Sequence, residues 1–293
     1  MLKRLGLGLA ALGRPGYINL GHGGDLQGET EVSALETRSH EVLDAARAVG
    51  ITYFDAARSY GRAEAFLSSW LDSRGIEPGE VTVASKWGYV YTADWRIDAE
   101  HHEVKDLSAE NLRRQAEESR ALLGDHLCLY QIHSATLESG VFEDPEVREE
   151  LDRLRRQGLE IGFTSTGPRQ RETIERALEV GGFDAVQATW NLLERSAGPA
   201  LADAHEAGLR VIVKEALANG RLIETVGDRA AIAAALAQPW ADIVLSGAVT
   251  VDQLESNLRA LDGVYDETLD AELAGLVEDP ESYWSTRASL PWS

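Results

Sequence analysis

Short apolar runs rich in β-branched residues alternate along the chain with longer segments whose apolar residues recur every three or four positions. The first pattern predicts buried strands and the second predicts amphipathic helices. Strands are expected at 5–9, 51–55, 81–86, 127–133, 160–164, 185–188, 211–213 and 243–245. Helices are expected at 36–49, 63–71, 108–123, 144–158, 168–180, 199–207, 229–237 and 250–261, with a short one at 267–277.

Two long segments show neither period, and both are predicted to be loops. One is glycine-rich, at 14–34, and the other is rich in aromatic residues, at 87–105. Helix starts are marked more clearly. Asp144 before Pro145 predicts an N-cap followed by a first-turn proline. Thr250 with Gln253 predicts a capping box.

Eight strand–helix units follow one another without a linker or a change in composition. This order favours a parallel sheet covered by helices, and eight units in 293 residues predict an α/β fold of the (β/α)8 TIM barrel type. We expect a single domain over residues 1–293. A doubly wound sheet is the alternative, but its Gly-x-Gly-x-x-Gly phosphate motif is missing because Ala11 follows Gly6 and Gly8.

Composition narrows the class of function. The net charge of −21 disfavours binding to nucleic acid and makes any internal anion site a local exception. One cysteine, Cys128, excludes a disulfide framework and fits a cytoplasmic location. The N-terminal residues predict neither a signal peptide nor a membrane span, and no histidine spacing predicts a metal site. The sequence leaves the oligomeric state open.

Four polar residues stand where predicted strands end. Asp55, Lys86 and His133 close successive strands, and Tyr60 lies in the loop after the first of these. Each has an ordinary structural explanation when taken alone. In a barrel, however, the carboxyl ends of all strands meet at one face, so the four side chains are expected to converge.

Their combined chemistry suggests proton transfer. A tyrosine has a pKa of about 10 in water, and a nearby ammonium lowers that value. Lys86 can supply the ammonium, and Asp55 can hold Lys86 in its charged form. Tyr60 is then expected to act as a general acid or base near neutral pH, while His133 orients a substrate oxygen.

At these positions the chain resembles the aldo-keto reductase superfamily over nearly its whole length. The matching segments are Phe54–Gly61, Ser85–Gly88, Tyr130–His133, Gly162–Ser165, Gln187 with Asn191–Leu193, and Gly247–Ala248 followed by Gln253 and Asn257. The resemblance implies a catalytic set of Asp55, Tyr60, Lys86 and His133. It also implies a barrel that binds an extended nicotinamide cofactor, NAD(P)H, and acts on a small carbonyl or alcohol.

The same resemblance implies the residues that hold the cofactor. Ser165 and Gln187 match positions that bind the carboxamide, and Thr166 replaces the usual asparagine. An aromatic residue usually stacks on the nicotinamide after the seventh strand, where this chain has Lys214. The remaining cofactor positions, along the pyrophosphate path and near the adenine, are Asp55, Glu215, Ala216, Leu217, Asn219, Gln253 and Asn257.

Charged residues near the adenine end of the cofactor bear on the choice between NAD(H) and NADP(H). A 2′-phosphate normally needs a paired cation, but the positions that the resemblance implies, Gly247, Ala248, Val249 and Gln253, are uncharged. We therefore expect NAD(H) to be used at least as well as NADP(H). Arg221 is the residue that can overturn this expectation.

The substrate pocket is expected to include Trp87, Tyr89 and Trp284, with further aromatic residues of the same loop and of the tail. Two other functions remain open. One is a regulatory barrel that binds a nicotinamide without turnover, and the other is a lyase that uses Lys86 as a Schiff base. The intact catalytic set favours the oxidoreductase.

Overall fold

Eight parallel strands close into a barrel in this computed structural model, which describes residues 4–26, 28–263 and 265–292. Residues 1 and 293, the limits of the predicted domain, lie outside the described residues, as does residue 27 of the predicted 14–34 loop. The barrel strands are β1 (Leu5–Gly8), β2 (Tyr53–Asp55), β3 (Thr82–Trp87), β6 (Leu127–Ala135), β7 (Glu160–Ser165), β8 (Ala185–Thr189), β9 (Arg210–Lys214) and β10 (Ile243–Ser246). Their order around the barrel is β1-β10-β9-β8-β7-β6-β3-β2. The predicted (β/α)8 fold is confirmed.

The helices lie outside the strands, and every described helix of eight residues or more buries apolar side chains. They are α1 (His22–Asp25), α2 (Val32–Ala48), α3 (Ala63–Arg74), α4 (Ala109–Leu123), α5 (Pro145–Arg156), α6 (Gln170–Val180), α7 (Gly198–Glu206), α8 (Asp228–Ala237), α9 (Val251–Leu258), α10 (Glu267–Leu273) and α11 (Pro280–Ala288). The Asp144 side chain caps α5 as predicted, and Thr250 caps α9. The Gln253 side chain accepts from the backbone N–H of Val249 instead of completing the predicted box with Thr250.

Both segments predicted as loops contain regular structure. Residues 14–34 include α1 and the start of α2, whose first buried apolar residue is Leu35. Residues 87–105 include an antiparallel hairpin of β4 (Tyr89–Tyr91) and β5 (Glu103–Lys105). Three residues a strand are too few to show a period. The helix predicted to span 250–261 ends as a 3-10 turn over Arg259–Asp262.

The barrel interior is filled by side chains from alternate positions of its strands. One buried cluster takes Tyr53, Ala84, Leu129, Ala185, Ile212 and Ile243 from six of them. Gly6 is required beside this cluster, because a Cβ there would lie 2.9 Å from both Leu245 and Tyr53. The packing closes the barrel beneath the strand ends and leaves those ends to form a site. Among the described residues, no helix combines the length and apolarity needed to cross a membrane.

Candidate active site

A cavity of about 780 Å³ is lined by residues at the carboxyl ends of the barrel strands and in the loops that follow. Asp55, Tyr60 and His133 of the predicted catalytic set line it. Lys86 lies just beneath and is fully buried. The structure therefore brings together the four residues that the sequence placed at strand ends.

Asp55 and Lys86 form a buried ion pair. The Lys86 ammonium donates to an Asp55 carboxylate oxygen and to the carbonyl oxygen of Ala56, the latter at 2.9 Å. The other Asp55 oxygen accepts from Gln187 Nε2 at 3.0 Å and from Gln131 Nε2 at 3.3 Å. A buried charge requires such partners, and here both members of the pair have them.

Tyr60 is fixed by a close backbone contact between its loop and the residues after β1. The Arg62 N–H donates to the Gly13 carbonyl at 2.7 Å. A Cβ on Gly13 would lie 2.3 Å from the Tyr60 carbonyl oxygen, so glycine is required there. The Tyr60 hydroxyl lies 3.4 Å from His133 Nε2, and the Lys86 ammonium lies 4.7 Å from the Tyr60 ring centroid.

Burial sets the protonation of both groups. The pKa of the Tyr60 phenol is raised well above 10, first by desolvation and then by the Asp55 carboxylate. The pKa of His133 lies well below 6.5, because of burial and then because of the Lys86 and Lys214 cations. The expected lowering of the Tyr60 pKa is therefore wrong for this structure. At neutral pH Tyr60 is a phenol and His133 is a neutral imidazole.

Arg14 belongs to the site but was not singled out from the sequence. Its guanidinium lies 5.2 Å from the Tyr60 ring centroid and 4.7 Å from that of Trp292, and it donates to Glu103 Oε2 at 3.2 Å. Arg14 lines the cavity and is almost fully buried. The sequence feature that could have identified Arg14 is a cation in the segment after the first strand, because sites in such barrels form where strands end.

Most of the predicted cofactor residues line the same cavity. They are Asp55, Thr166, Gln187, Lys214, Glu215, Ala216, Leu217, Asn219, Gln253 and Asn257. Ser165 is buried immediately behind the wall. Its Oγ and the Asn219 Oδ1 are buried without a hydrogen-bond partner among the described residues. Unpaired buried polar atoms are costly, so both fit an extended polar cofactor as an additional partner.

The end of β9 carries a charged cluster of three residues. Arg287, from α11, donates through Nε to both Glu215 carboxylate oxygens, at 3.0 and 2.8 Å. Lys214 Nζ lies 3.8 Å from Glu215 and donates to Thr189 Oγ1 at 2.9 Å. Arg287 and Lys214 overcome the effect of burial and lower the Glu215 pKa to about 2. Burial lowers the Lys214 pKa to about 8.

The predicted aromatic wall needs correction at two of its three positions. Tyr89 lines the cavity and packs edge-on against His133 at 5.0 Å. Trp87 is buried away from the cavity, because β3 continues through it and neighbouring strand residues face opposite sides. Trp284 is also buried and lies behind Lys214, whose ammonium is 5.7 Å from its ring centroid. Trp292, one of the further tail residues expected in this wall, lines the cavity.

Comparison with known proteins identifies the family. The model of the Aldo/keto reductase family matches residues 4–232, which is more than half of the chain. The chain belongs to the aldo/keto reductase family. The resemblance first seen at the strand ends is thereby confirmed, and membership makes the protein one of a family of oxidoreductases.

Three relatives with 20–27% sequence identity can be compared with this aldo/keto reductase. The uncharacterized oxidoreductase YqkF of Bacillus subtilis is 23% identical in an alignment that covers 77% of this chain and 82% of YqkF. The Pseudomonas aeruginosa protein PA4992, named for the same family, is 27% identical with a TM-score of 0.68, over 88% of this chain and 89% of its own. The aldo-keto reductase AKR11C1 of Bacillus halodurans, solved in a holo form, supports the fold, with 20% identity and a TM-score of 0.71 over 94% and 92% of the two chains.

Proposed function

We propose that this protein is a nicotinamide-dependent reductase of small aldehydes, ketones or sugars, with Tyr60 as the proton donor. The observation that carries the proposal is the position of the Tyr60 hydroxyl, 3.4 Å from His133 Nε2 at the wall of the cavity and above the buried Lys86–Asp55 pair. A carbonyl oxygen placed there meets two neighbouring hydrogen-bonding groups. A nicotinamide cofactor, when bound, supplies the hydride.

The four residues divide the work on the substrate oxygen. Tyr60 donates its proton to the oxygen as negative charge develops there. His133, neutral and buried, orients the same oxygen through a hydrogen bond. Lys86 stabilises the phenolate that remains, and Asp55 keeps the ammonium in place. Burial strengthens each of these interactions, because little water screens them.

The raised pKa of Tyr60 supports reduction as the direction in which the site is prepared. At neutral pH the group carries its proton and is ready to act as an acid. Oxidation of an alcohol requires the phenolate, which is scarce when the pKa is high. Turnover of carbonyl compounds is therefore expected to exceed turnover of alcohols near pH 7.

The two alternative functions are less well supported. A Schiff-base lyase requires an uncharged lysine that a substrate can reach, whereas Lys86 is buried and paired with Asp55. A regulatory barrel has no need of a complete catalytic set. A cytoplasmic location stays a prediction from the sequence. So does the expectation that the partner is a small molecule and neither nucleic acid nor a membrane.

We further propose that NAD(H) is used at least as well as NADP(H). Asp252, in the first turn of α9, lines the cavity beside Gln253 and Asn257, and a carboxylate there repels a 2′-phosphate. Arg221, the cation that the sequence analysis named as able to overturn this preference, donates to Glu278 at 3.2 Å through Nη1. That ion pair reduces its capacity to bind a phosphate.

A panel of aldehydes, ketones and aldoses tested with NADH and with NADPH examines both proposals. Turnover with any carbonyl that depends on Tyr60 supports the reductase. Tight cofactor binding without turnover across the panel would favour the regulatory barrel. A preference for NADPH greater than about tenfold in kcat/KM, or 1.4 kcal/mol, would refute the assignment of NAD(H).

A further inference from the structure

Lys214 presents an under-satisfied cation to the cavity. Its side chain lines the wall at the end of β9, and its ammonium makes one hydrogen bond among the described residues, to Thr189 Oγ1 at 2.9 Å. An ammonium carries three donors. Two are therefore left for the contents of the cavity.

The surrounding charges do not cancel this cation. Glu215 is the nearest carboxylate, but Arg287 holds both of its oxygens, at 3.0 and 2.8 Å, whereas Lys214 stands 3.8 Å away. One carboxylate thus faces two cations. In a protein with a net charge of −21, this part of the cavity is locally positive.

Lys214 lies at the catalytic end of the cavity. It is paired in register with Thr189 of β8, and Gln187 of the same strand donates to Asp55 at 3.0 Å. Hydride must reach the carbon whose oxygen Tyr60 protonates. The reactive ring of a nicotinamide therefore has to lie at this end, within the field of the Lys214 ammonium.

We propose that Lys214 makes the cavity discriminate between the redox forms of a nicotinamide cofactor, in favour of the reduced form. The inference rests on the proposed function, since it requires the cavity to hold that cofactor. The oxidised ring carries a positive charge and the reduced ring carries none, while the rest of the molecule is the same. A largely buried cation next to the ring opposes only the oxidised form. The aromatic residue that the resemblance implies at this position would exert no such repulsion.

The discrimination is measured as the ratio of the Kd of the oxidised cofactor to the Kd of the reduced cofactor. Both constants are obtained for NAD+ and NADH by titration calorimetry on the full chain at pH 7. We expect Lys214→Met to lower this ratio at least about tenfold, equal to 1.4 kcal/mol, mainly by tightening NAD+. Lys214→Arg keeps the charge and should keep the ratio within about threefold of wild type.

A matched control is available in Lys105. This lysine is exposed, donates to the Ser134 carbonyl at 2.6 Å, and is not among the residues that line the cavity. Lys105→Met removes one positive charge from the same chain. It should leave the ratio of the two dissociation constants unchanged within about threefold.

The wild-type protein supplies a test that needs no substitution. Burial lowers the Lys214 pKa to about 8, so the ratio should fall as pH rises from 7 to 9.5 and the ammonium loses its proton. By linkage, NAD+ binding should improve over this range while NADH binding changes little. The titratable and charged groups that act on Lys214 are Glu215, Arg287, Lys86, Asp55 and His133.

Three of these groups keep one charge state over that range. The pKa of Glu215 is lowered to about 2 by its cations, that of Arg287 is raised by Glu215, and that of His133 lies well below 6.5 because of burial. The phenol of Tyr60 also stays protonated, because its pKa is raised well above 10. A fall in the ratio centred near pH 8 in wild type that is absent from Lys214→Met therefore reports Lys214.

The outcomes separate this inference from the proposed function. If NAD(H) and NADP(H) all fail to bind, the proposed function is wrong, and the inference with it. If both redox forms bind and the ratio is the same in wild type, Lys214→Met and Lys105→Met, the reductase stands and the role of Lys214 is refuted. A flat pH profile of the wild-type ratio would refute it as well.

Discussion

Gln187 donates a hydrogen bond of 3.0 Å to the carboxylate of Asp55 across the interior of the barrel. Their strands, β8 and β2, stand opposite each other in the closed sheet. The same carboxylate holds the Lys86 ammonium. Gln187, which is predicted to bind the cofactor carboxamide, is therefore linked through the Asp55 side chain to Lys86, which lies beside Tyr60.

Replacing Tyr60 by phenylalanine should remove the proton donor and leave the cofactor site intact. We expect kcat to fall at least about 100-fold, the usual scale for general acid catalysis, with little change in the Kd of the reduced cofactor. Tyr91→Phe is the control, because Tyr91 lies in the hairpin and is not among the residues lining the cavity. Near wild-type turnover in Tyr60→Phe would remove Tyr60 from the mechanism.

Replacing Lys86 by methionine should damage turnover to a similar degree and move the pH–rate profile. The phenolate of Tyr60 loses the cation 4.7 Å from its ring, so its pKa rises further and the high-pH limb moves to more alkaline values. The profile is recorded as kcat against pH with one substrate. A variant that is still active with an unmoved profile would disprove the coupling between the two residues.

Replacing Asp252 by asparagine should improve the use of NADP(H) selectively. The carboxylate lines the cavity in the first turn of α9, and its removal lessens the repulsion of a 2′-phosphate. We expect kcat/KM with NADPH to rise roughly three- to tenfold, about 1 kcal/mol, with little change for NADH. Glu255→Gln, an exposed acid on the same helix that is not among the lining residues, controls for net charge. Equal gains in both variants would mean that the effect is not local.

Replacing Arg287 by methionine should destabilise the fold. The Glu215 side chain, which is 9% exposed, loses its main cation, and breaking such a largely buried pair from one side costs up to about 3 kcal/mol. Urea unfolding at pH 7 measures the loss. Arg96→Ala, which breaks an exposed pair with Asp98, should cost less than about 1 kcal/mol.

The pH dependence of that loss has a defined sign. In the wild type the Glu215 pKa is lowered from 4.5 to about 2, so its stabilising contribution is present above pH 4.5 and disappears as pH falls towards 2. Without Arg287, burial raises this pKa and the folded variant takes up a proton earlier. The difference in unfolding free energy should narrow between pH 7 and pH 4. A constant difference would place the effect of Arg287 elsewhere.

The strands and the convergence of Asp55, Tyr60, Lys86 and His133 could be predicted because both follow from local patterns and one geometric rule. Asp55, Lys86 and His133 each end an apolar run, and a closed parallel barrel gathers such ends without further information. The protonation of Tyr60 could not be predicted, because the cost of desolvation depends on how deeply the packed barrel buries the phenol.

The role of α11 was also beyond the sequence. Asp279 and Pro280 mark its start, but its buried residues are only Tyr283 and Trp284, which is too narrow a stripe to show a helical period. The pair of Arg287 with Glu215 joins positions 72 apart in the chain. A local sequence pattern cannot predict an ion pair between residues so far apart in the chain.

The place of α11 in the chain has a consequence for biosynthesis. Helix α11 follows all eight barrel strands in sequence, so a ribosome delivers every strand before it delivers Arg287. A nascent chain therefore has the four residues of the proposed catalytic set before it has Arg287, the counter-charge of Glu215. The charged cluster of Lys214, Glu215 and Arg287 is completed late in synthesis. A barrel can therefore close on the ribosome before the cavity around Lys214 has its final charge.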